Sequence, residues 1–193
     1  MTTVYYSTIF RQSAPEIWKI VRDFNNYPVW VEGSGESRIE DGKSGDTVSA
    51  VRNVHYQGRE IRQRLLALSD VERSQVYEFC GAPSLPVTDF RATLRIREIV
   101  DGDGAFVERW ASFDCEPARR NELAGTLRAW FAGWLESLRA SLGDGMDRDR
   151  RSRANGGRLC TVRDRFGDFG RDIGDLAGSG PSSDCCIRSA HLA

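Results

Sequence analysis

Residues 118–142 read ARRNELAGTLRAWFAGWLESLRASL and form the longest regularly patterned segment of the chain. Apolar side chains recur there at steps of three and four, the spacing of one face of an α-helix. Pro117 stands at the start, where its missing N–H costs nothing, and Gly143 at the end, where glycine commonly caps a helix. The pattern therefore predicts one long helix with a wide apolar face: Leu123, Leu127, Trp130, Phe131, Trp134, Leu135, Leu138 and Leu142.

Upstream of this helix, segments rich in β-branched and aromatic residues alternate with turn signals such as Asp41-Gly42 and Gly58. The first of these segments runs from Val4 to Arg11. The connections between most of the others are short, which favours hairpins and an antiparallel sheet. Six further strands are predicted at about 35–41, 46–55, 57–68, 73–80, 88–99 and 105–115.

Two short helices are predicted after the first strand. Ser13 and Glu16 have the spacing of a capping box, and Pro15 lies in the first turn. Residues 25–28 break this helix, and residues 29–31 form a second short helix or a turn.

These elements predict an α+β fold of the helix-grip type. A curved, seven-stranded antiparallel sheet wraps around the long C-terminal helix, and the two short helices follow the first strand. A cavity remains wherever the helix does not fill the concave face of the sheet. We therefore expect a small hydrophobic or amphipathic ligand to bind inside a domain of residues 1–142.

Residues 143–193 differ from the rest in composition. They contain no Lys, Glu, Trp or Tyr, and their charge comes only from Arg and Asp. Apolar residues are scattered without a regular period, so we expect this tail to be disordered. A second hypothesis is that the tail is not the native reading frame, because a GC-rich gene read out of frame yields Arg, Gly, Ala, Ser, Pro and Asp.

Bulk properties exclude several classes of function. The formal net charge is −1, which gives no reason to expect nucleic acid as a partner. No apolar run reaches the roughly 18 residues that a membrane span needs. The five cysteines are odd in number, so we expect free thiols and a cytoplasmic location. Their spacing matches no zinc-ligand pattern, so we expect no metal. We expect no cofactor either.

Alternation along the strands indicates which side chains face the cavity. Two of the predicted strands each place four residues on one face: Ile61, Gln63, Leu65 and Ala67 in the first, and Phe90, Ala92, Leu94 and Ile96 in the second. Two charged residues, Arg52 and Glu108, share a face with apolar neighbours. A buried charge is costly unless it is paired. These residues therefore either hold the polar end of a ligand or transfer a proton, or else form an internal ion pair that supports the sheet. Further predicted ligand contacts are Ile61, Gln63, Leu65, Tyr77, Phe79, Phe90, Trp110, Trp130 and Trp134.

Four segments in this order, 14–18, 63–70, 85–94 and 107–110, resemble the polyketide cyclase/dehydrase branch of the START/Bet v 1-like superfamily (SRPBCC). The resemblance covers about residues 4–142 and implies the helix-grip fold with an internal site for a lipid-like or polyketide-like molecule. It also implies that Ser84-Leu85-Pro86-Val87 form a mouth loop that closes the cavity, as in the similar plant abscisic-acid receptors, with Leu85 and Pro86 in contact with the ligand. The alternative is an ordinary Pro-containing hairpin loop.

The branch is also similar to lachrymatory factor synthase, which implies that Arg52 occupies the position of a catalytic Arg. Gln63 stands where that enzyme has a Glu, and an amide cannot serve as an acid or base at neutral pH. Glu108 would have to take that role.

Three functions follow as hypotheses. The chain is a carrier or sensor of a hydrophobic ligand, a cyclase- or dehydratase-like enzyme that uses Glu108 and Arg52, or a protein-interaction module gated by its ligand. Whether it is an enzyme stays open, and a protein partner stays unknown.

Overall fold

The computed structural model describes residues 1–81 and 85–143. Seven strands form one antiparallel sheet in the order β1-β7-β6-β5-β4-β3-β2, so the first strand closes against the last. The predicted α+β fold is confirmed. The strands are β1 (Thr2–Phe10), β2 (Ser34–Ile39), β3 (Val51–Tyr56), β4 (Arg59–Ser69), β5 (Ser74–Phe79), β6 (Thr88–Glu98) and β7 (Ala105–Asp114).

Three α-helices complete the domain: α1 (Ala14–Val21), α2 (Tyr27–Trp30) and α3 (Arg120–Ser141). A 3-10 turn, Pro117–Arg119, precedes α3 where the sequence predicted the helix to begin. The tail beyond residue 143 and Ser84 of the predicted mouth loop lie outside the described residues.

Helix α1 begins as its sequence predicts. The Glu16 carboxylate accepts hydrogen bonds from the backbone N–H of Ser13 at 2.9 Å and from its hydroxyl at 2.7 Å. A second anchor lies outside the helix, where Asp70 accepts hydrogen bonds from the Trp18 indole at 2.9 Å and from Arg22 Nε at 2.7 Å. These contacts join α1 to the end of β4.

The core lies between the sheet and the helices. Four leucines of α3 are at most 1% exposed, and each buried side chain of this kind stabilises the fold by about 1.5–3 kcal/mol. Leu135 and Leu138 share one core cluster with residues of α1 and with inner residues of β6 and β7. The four leucines are Leu123, Leu127, Leu135 and Leu138.

A β-bulge in β4 changes one predicted face. Leu65 pairs with Tyr77 and Ala67 with Val76, so Leu66 is the extra residue. Alternation alone placed Ala67 on the same face as Leu65, which is wrong: Ala67 is exposed, and Leu68 packs against the core instead.

Strand β7 faces the opposite way from its prediction. Val107, Arg109 and Ala111 are buried on the core side, and the alternate residues Glu108 and Trp110 lie on the outer face of the sheet. The expectation that Glu108 and Trp110 point inward is wrong. The orientation follows from the register of β7 with β1 and β6, which turns Arg109 toward Phe131 and Trp134 of α3.

Candidate functional site

A small cavity lies between the inner face of β3–β6 and the α3 helix. The cavity has a volume of about 410 Å³ when the solvent-filled space at its mouth is included. The centre of a water molecule can reach only about 20 Å³ of it. That is room for about one water. The walls are mainly aromatic and consist of Tyr27, Val54, Tyr56, Ile61, Gln63, Tyr77, Phe79, Phe90, Leu127, Trp130 and Trp134.

The aromatic walls pack edge against face. Trp134 lies 5.9 Å from Tyr56 and 5.8 Å from Trp130 between ring centroids, and its indole N–H donates to the Tyr56 hydroxyl at 3.0 Å. Phe79 and Phe90 stack at 4.1 Å. Such pairs contribute about 0.5–1.5 kcal/mol beyond the burial of their area, so they hold the walls in place.

Arg52 lies where alternation along β3 predicted it, inside the domain and 3% exposed. Its guanidinium donates to the Phe24 carbonyl and to the Gln63 side-chain oxygen, and it stacks 3.9 Å from the centre of the Phe24 ring. Burial lowers the pKa of Arg52 to about 10, so the group is still protonated at neutral pH. Among the described residues, its Nε has no hydrogen-bond partner.

A second arginine, Arg109 of β7, is buried more deeply, at 2% exposed. Its Nη2 donates to the Tyr77 hydroxyl, and its guanidinium lies 4.4 Å from the Trp134 ring centre and 5.2 Å from that of Phe131. Neither Nε nor Nη1 has a hydrogen-bond acceptor in the described part of the chain. Arg109 therefore lies directly behind two residues of the cavity wall, Tyr77 and Trp134.

Glu108, predicted as the catalytic acid or base, lies on the other side of the sheet. Its carboxylate accepts from Arg95 at 2.6 Å, Arg97 at 3.2 Å and Tyr5 at 3.1 Å. Burial alone would raise the pKa of Glu108, but the hydrogen bonds from Arg95 and Tyr5 and the two positive charges outweigh it and lower the pKa. Glu108 thus joins β1, β6 and β7 and cannot reach the cavity or Arg52.

The structure brings most of the other predicted site residues together. Seven of them line the cavity: Ile61, Gln63, Tyr77, Phe79, Phe90, Trp130 and Trp134.

Four do not line it. Leu65 and Leu85 are buried in the core, Pro86 is exposed, and Trp110 lies on the outer face beside Arg95. The predicted role of Leu85 and Pro86 in closing the mouth stays a prediction.

Sequence reasoning missed Tyr27 and Arg109, and it did not include Tyr56 among the ligand contacts. Tyr27 was assigned to a helix break, although Pro28 after it allows the short α2 helix in which its ring turns inward. For β7 no deciding signal was available, because each face of the strand combines apolar side chains with one charged residue.

Other classes of site receive no support from the described residues. No group of three or more His, Cys, Asp or Glu side chains there could hold a metal ion. No helix in that part is long and apolar enough to cross a membrane. Cys80 and Cys115 are free thiols, and the other three cysteines lie outside the described residues.

Solved structures of similar shape share this architecture. Protein XoxI from Bacillus cereus matches with 24% identity and a TM-score of 0.65, over 73% of this chain and 95% of the other. A Thermobifida fusca protein solved by NMR has 28% identity and a TM-score of 0.65, over 72% and 91%. The di-domain ARO/CYC BexL from the BE-7585A biosynthetic pathway has 13% identity and a TM-score of 0.63, over 74% of this chain and 47% of the other.

Among curated proteins, no sequence matches this chain. The family model described as polyketide cyclase / dehydrase and lipid transport matches residues 1–144, which is the whole of the described domain. With this match and the seven-stranded helix-grip architecture, the chain belongs to the polyketide cyclase/dehydrase and lipid transport family.

Proposed function

We propose that this protein binds a small hydrophobic or amphipathic ligand, lipid-like or polyketide-like, between its sheet and α3, as a carrier or sensor. The observation that carries the proposal is the aromatic cavity lined by Tyr27, Tyr56, Tyr77, Trp130 and Trp134. Apolar walls with a few inward polar groups are typical of ligand sites. The Cys80 and Cys115 thiols suit the reducing cytoplasm, where we expect the protein to act.

The cavity must widen before such a ligand fits, because its free volume is close to that of one water. Phe79 and Trp134 are the wall residues from which an opening can start, because both are partly exposed to solvent. Their movement breaks the Phe79–Phe90 stack and the Trp134–Tyr56 hydrogen bond, so the wider state lies higher in free energy than the closed one. Binding therefore selects a wider state that these side chains open.

A proton-transfer enzyme receives less support. Among the described residues, the one buried carboxylate is Glu108, and it lies on the outer face of the sheet in contact with Arg95, Arg97 and Tyr5. Gln63, which does line the cavity, cannot exchange a proton near neutral pH. We therefore do not assign Glu108 and Arg52 as a catalytic pair.

The test is a fluorescence titration of the full chain with 1-aminoanthracene, a neutral apolar fluorophore. We expect saturable binding, and we expect the Ile61→Trp substitution to weaken it at least about tenfold, since the indole would occupy the cavity. Ile9→Trp is the matched control because Ile9 is 64% exposed on the outer face of β1. Equal binding by both variants would place the probe elsewhere and overturn the proposal.

A further inference from the structure

We propose that the ligand is an anion with an apolar body and a carboxylate, and that Arg109 binds this carboxylate. The inference rests on the proposed function and adds the chemical class of the ligand and its anchoring residue.

The first argument is the hydrogen-bonding state of Arg109. Its guanidinium is almost fully buried, and its Nε and Nη1 atoms lack acceptors in the described part of the chain. Buried polar groups in proteins are nearly always hydrogen-bonded, and leaving a charged donor without an acceptor is especially costly. A guanidinium presents its donors in a planar fork that matches a carboxylate.

The second argument is the charge of the interior. Arg52 and Arg109 are both buried on the inner side of the sheet, close enough that the charge of Arg109 contributes to lowering the pKa of Arg52. No carboxylate of the described residues is buried on that side, since Glu108 faces outward. Burial also raises the pKa of Tyr27, so its phenol stays neutral and supplies no negative charge. A ligand carboxylate would neutralise this excess of positive charge.

The third argument is that the buried polar atoms without a hydrogen-bond partner around the cavity are all donors. Among the cavity-lining residues and the two arginines, the buried side-chain atoms without partners are Arg52 Nε, Arg109 Nε and Nη1, and Trp130 Nε1. All four are donors, and none is an acceptor. An alcohol or an amine would use such a set poorly, whereas a carboxylate has only acceptor atoms.

Access to Arg109 is gated by residues of the cavity wall. The guanidinium lies behind Trp134 and is held by the Tyr77 hydroxyl. Trp134 is the half-buried residue whose displacement widens the cavity. The same motion therefore admits the apolar body and exposes the cation to the carboxylate.

The experiment compares two pairs of ligands by displacement of bound 1-aminoanthracene from the full chain at neutral pH. One pair has an aromatic body, 2-naphthoate and naphthalene-2-methanol, and the other has an aliphatic body, dodecanoate and dodecanol. We expect at least one acid to bind about tenfold or more tightly than its alcohol, because hydrogen bonds to a charged group are strong. The pair with the larger ratio identifies the apolar body.

The same titrations on variants locate the anchor. Arg109→Met should bring the ratio of the acid affinity to the alcohol affinity close to one, and Arg109→Lys should retain part of the preference for the acid. Arg91→Met is the matched control, since Arg91 is exposed on the outer face of the neighbouring strand, and it should change neither affinity. Each variant is first shown to unfold cooperatively in urea.

The outcomes separate the two proposals. If 1-aminoanthracene does not bind, the proposed function itself fails. If the probe binds but the acids and alcohols displace it equally, or if Arg109→Met keeps the preference, the cavity is a site for neutral ligands or another residue is the anchor. Either result overturns the assignment of Arg109.

Discussion

Replacing Arg109 by Met should stabilise the ligand-free protein. The native side chain keeps a charged guanidinium buried with its Nε and Nη1 lacking acceptors among the described residues. Each unsatisfied buried donor costs about 1–3 kcal/mol, so removing both relieves about 2–6 kcal/mol. Met has a similar length and an apolar, flexible side chain that fills the same space.

Two losses oppose this gain. The guanidinium gives up its cation–π contacts with Trp134, Phe131 and Tyr77, which together contribute about 1–2 kcal/mol, and its hydrogen bond to Tyr77, about 1 kcal/mol. The sulfur of Met regains part of the aromatic contact. At the middle of each range, about 4 kcal/mol gained against about 2.5 kcal/mol lost, the net expectation is an increase of about 1.5 kcal/mol in the free energy of unfolding.

The assay is urea denaturation followed by tryptophan fluorescence, on full-length protein that native mass spectrometry shows to carry no ligand. The urea midpoint should rise with an unchanged m value. The exposed Arg91→Met control should change the free energy of unfolding by less than about 0.5 kcal/mol. A decrease in the free energy of unfolding for Arg109→Met would refute the reasoning. It would mean that the protein itself satisfies the buried guanidinium.

Three further predictions concern other parts of the domain. Hydrogen bonds from Arg22 and Trp18 lower the pKa of Asp70 to about 2. These bonds therefore stabilise the folded state fully above about pH 4, and the stabilisation is lost as the pH falls toward 2. NMR titration of the Asp70 carboxyl carbon should give a midpoint near 2, and Asp70→Asn should weaken the dependence of the free energy of unfolding on pH in this range. Glu108→Gln should lower stability by about 1–2 kcal/mol in urea denaturation while leaving the affinity for 2-naphthoate unchanged, because its contacts with Arg95 and Arg97 lie outside the cavity. Leu135→Ala should cost about 2–5 kcal/mol in the same assay, since Leu135 is fully buried on the inner face of α3; a change under 1 kcal/mol would contradict the packing described here.

The order and type of elements could be predicted from the sequence because each has a local cause. The 3.6-residue period marks α3, the Ser13–Glu16 spacing marks α1, and paired turn residues separate the strands. Antiparallel pairing follows from the short connections. None of these signals depends on contacts between distant residues.

The faces of the strands were predictable only where the two faces differ in composition. In β6, apolar Phe90, Ala92, Leu94 and Ile96 alternate with polar residues, and they face inward as predicted. In β7 both faces carry a charge and apolar residues, so alternation could not decide between Glu108 and Arg109. Which face of β7 turns inward depends on its register with β1 and β6 and on the packing of α3, both of which are tertiary contacts.

The bulge at Leu66 escaped prediction for a related reason. No Gly or Pro marks it, and only the pairing of Leu65 with Tyr77 and of Ala67 with Val76 reveals the extra residue. Inner residues upstream of the bulge, such as Gln63, were therefore placed correctly, whereas Ala67 was not.

The central claim is that the ligand binds between the sheet and α3. The most direct measurement is a ¹H–¹⁵N NMR titration of the full chain with 2-naphthoate, following the five indole N–H signals and the Arg Nε–H signals. We predict large, saturable shifts for Trp130, Trp134 and Arg109, and no shift for Trp110 on the outer face. Shifts confined to Trp110 and its neighbour Arg95, with the cavity signals unchanged, would contradict an internal site.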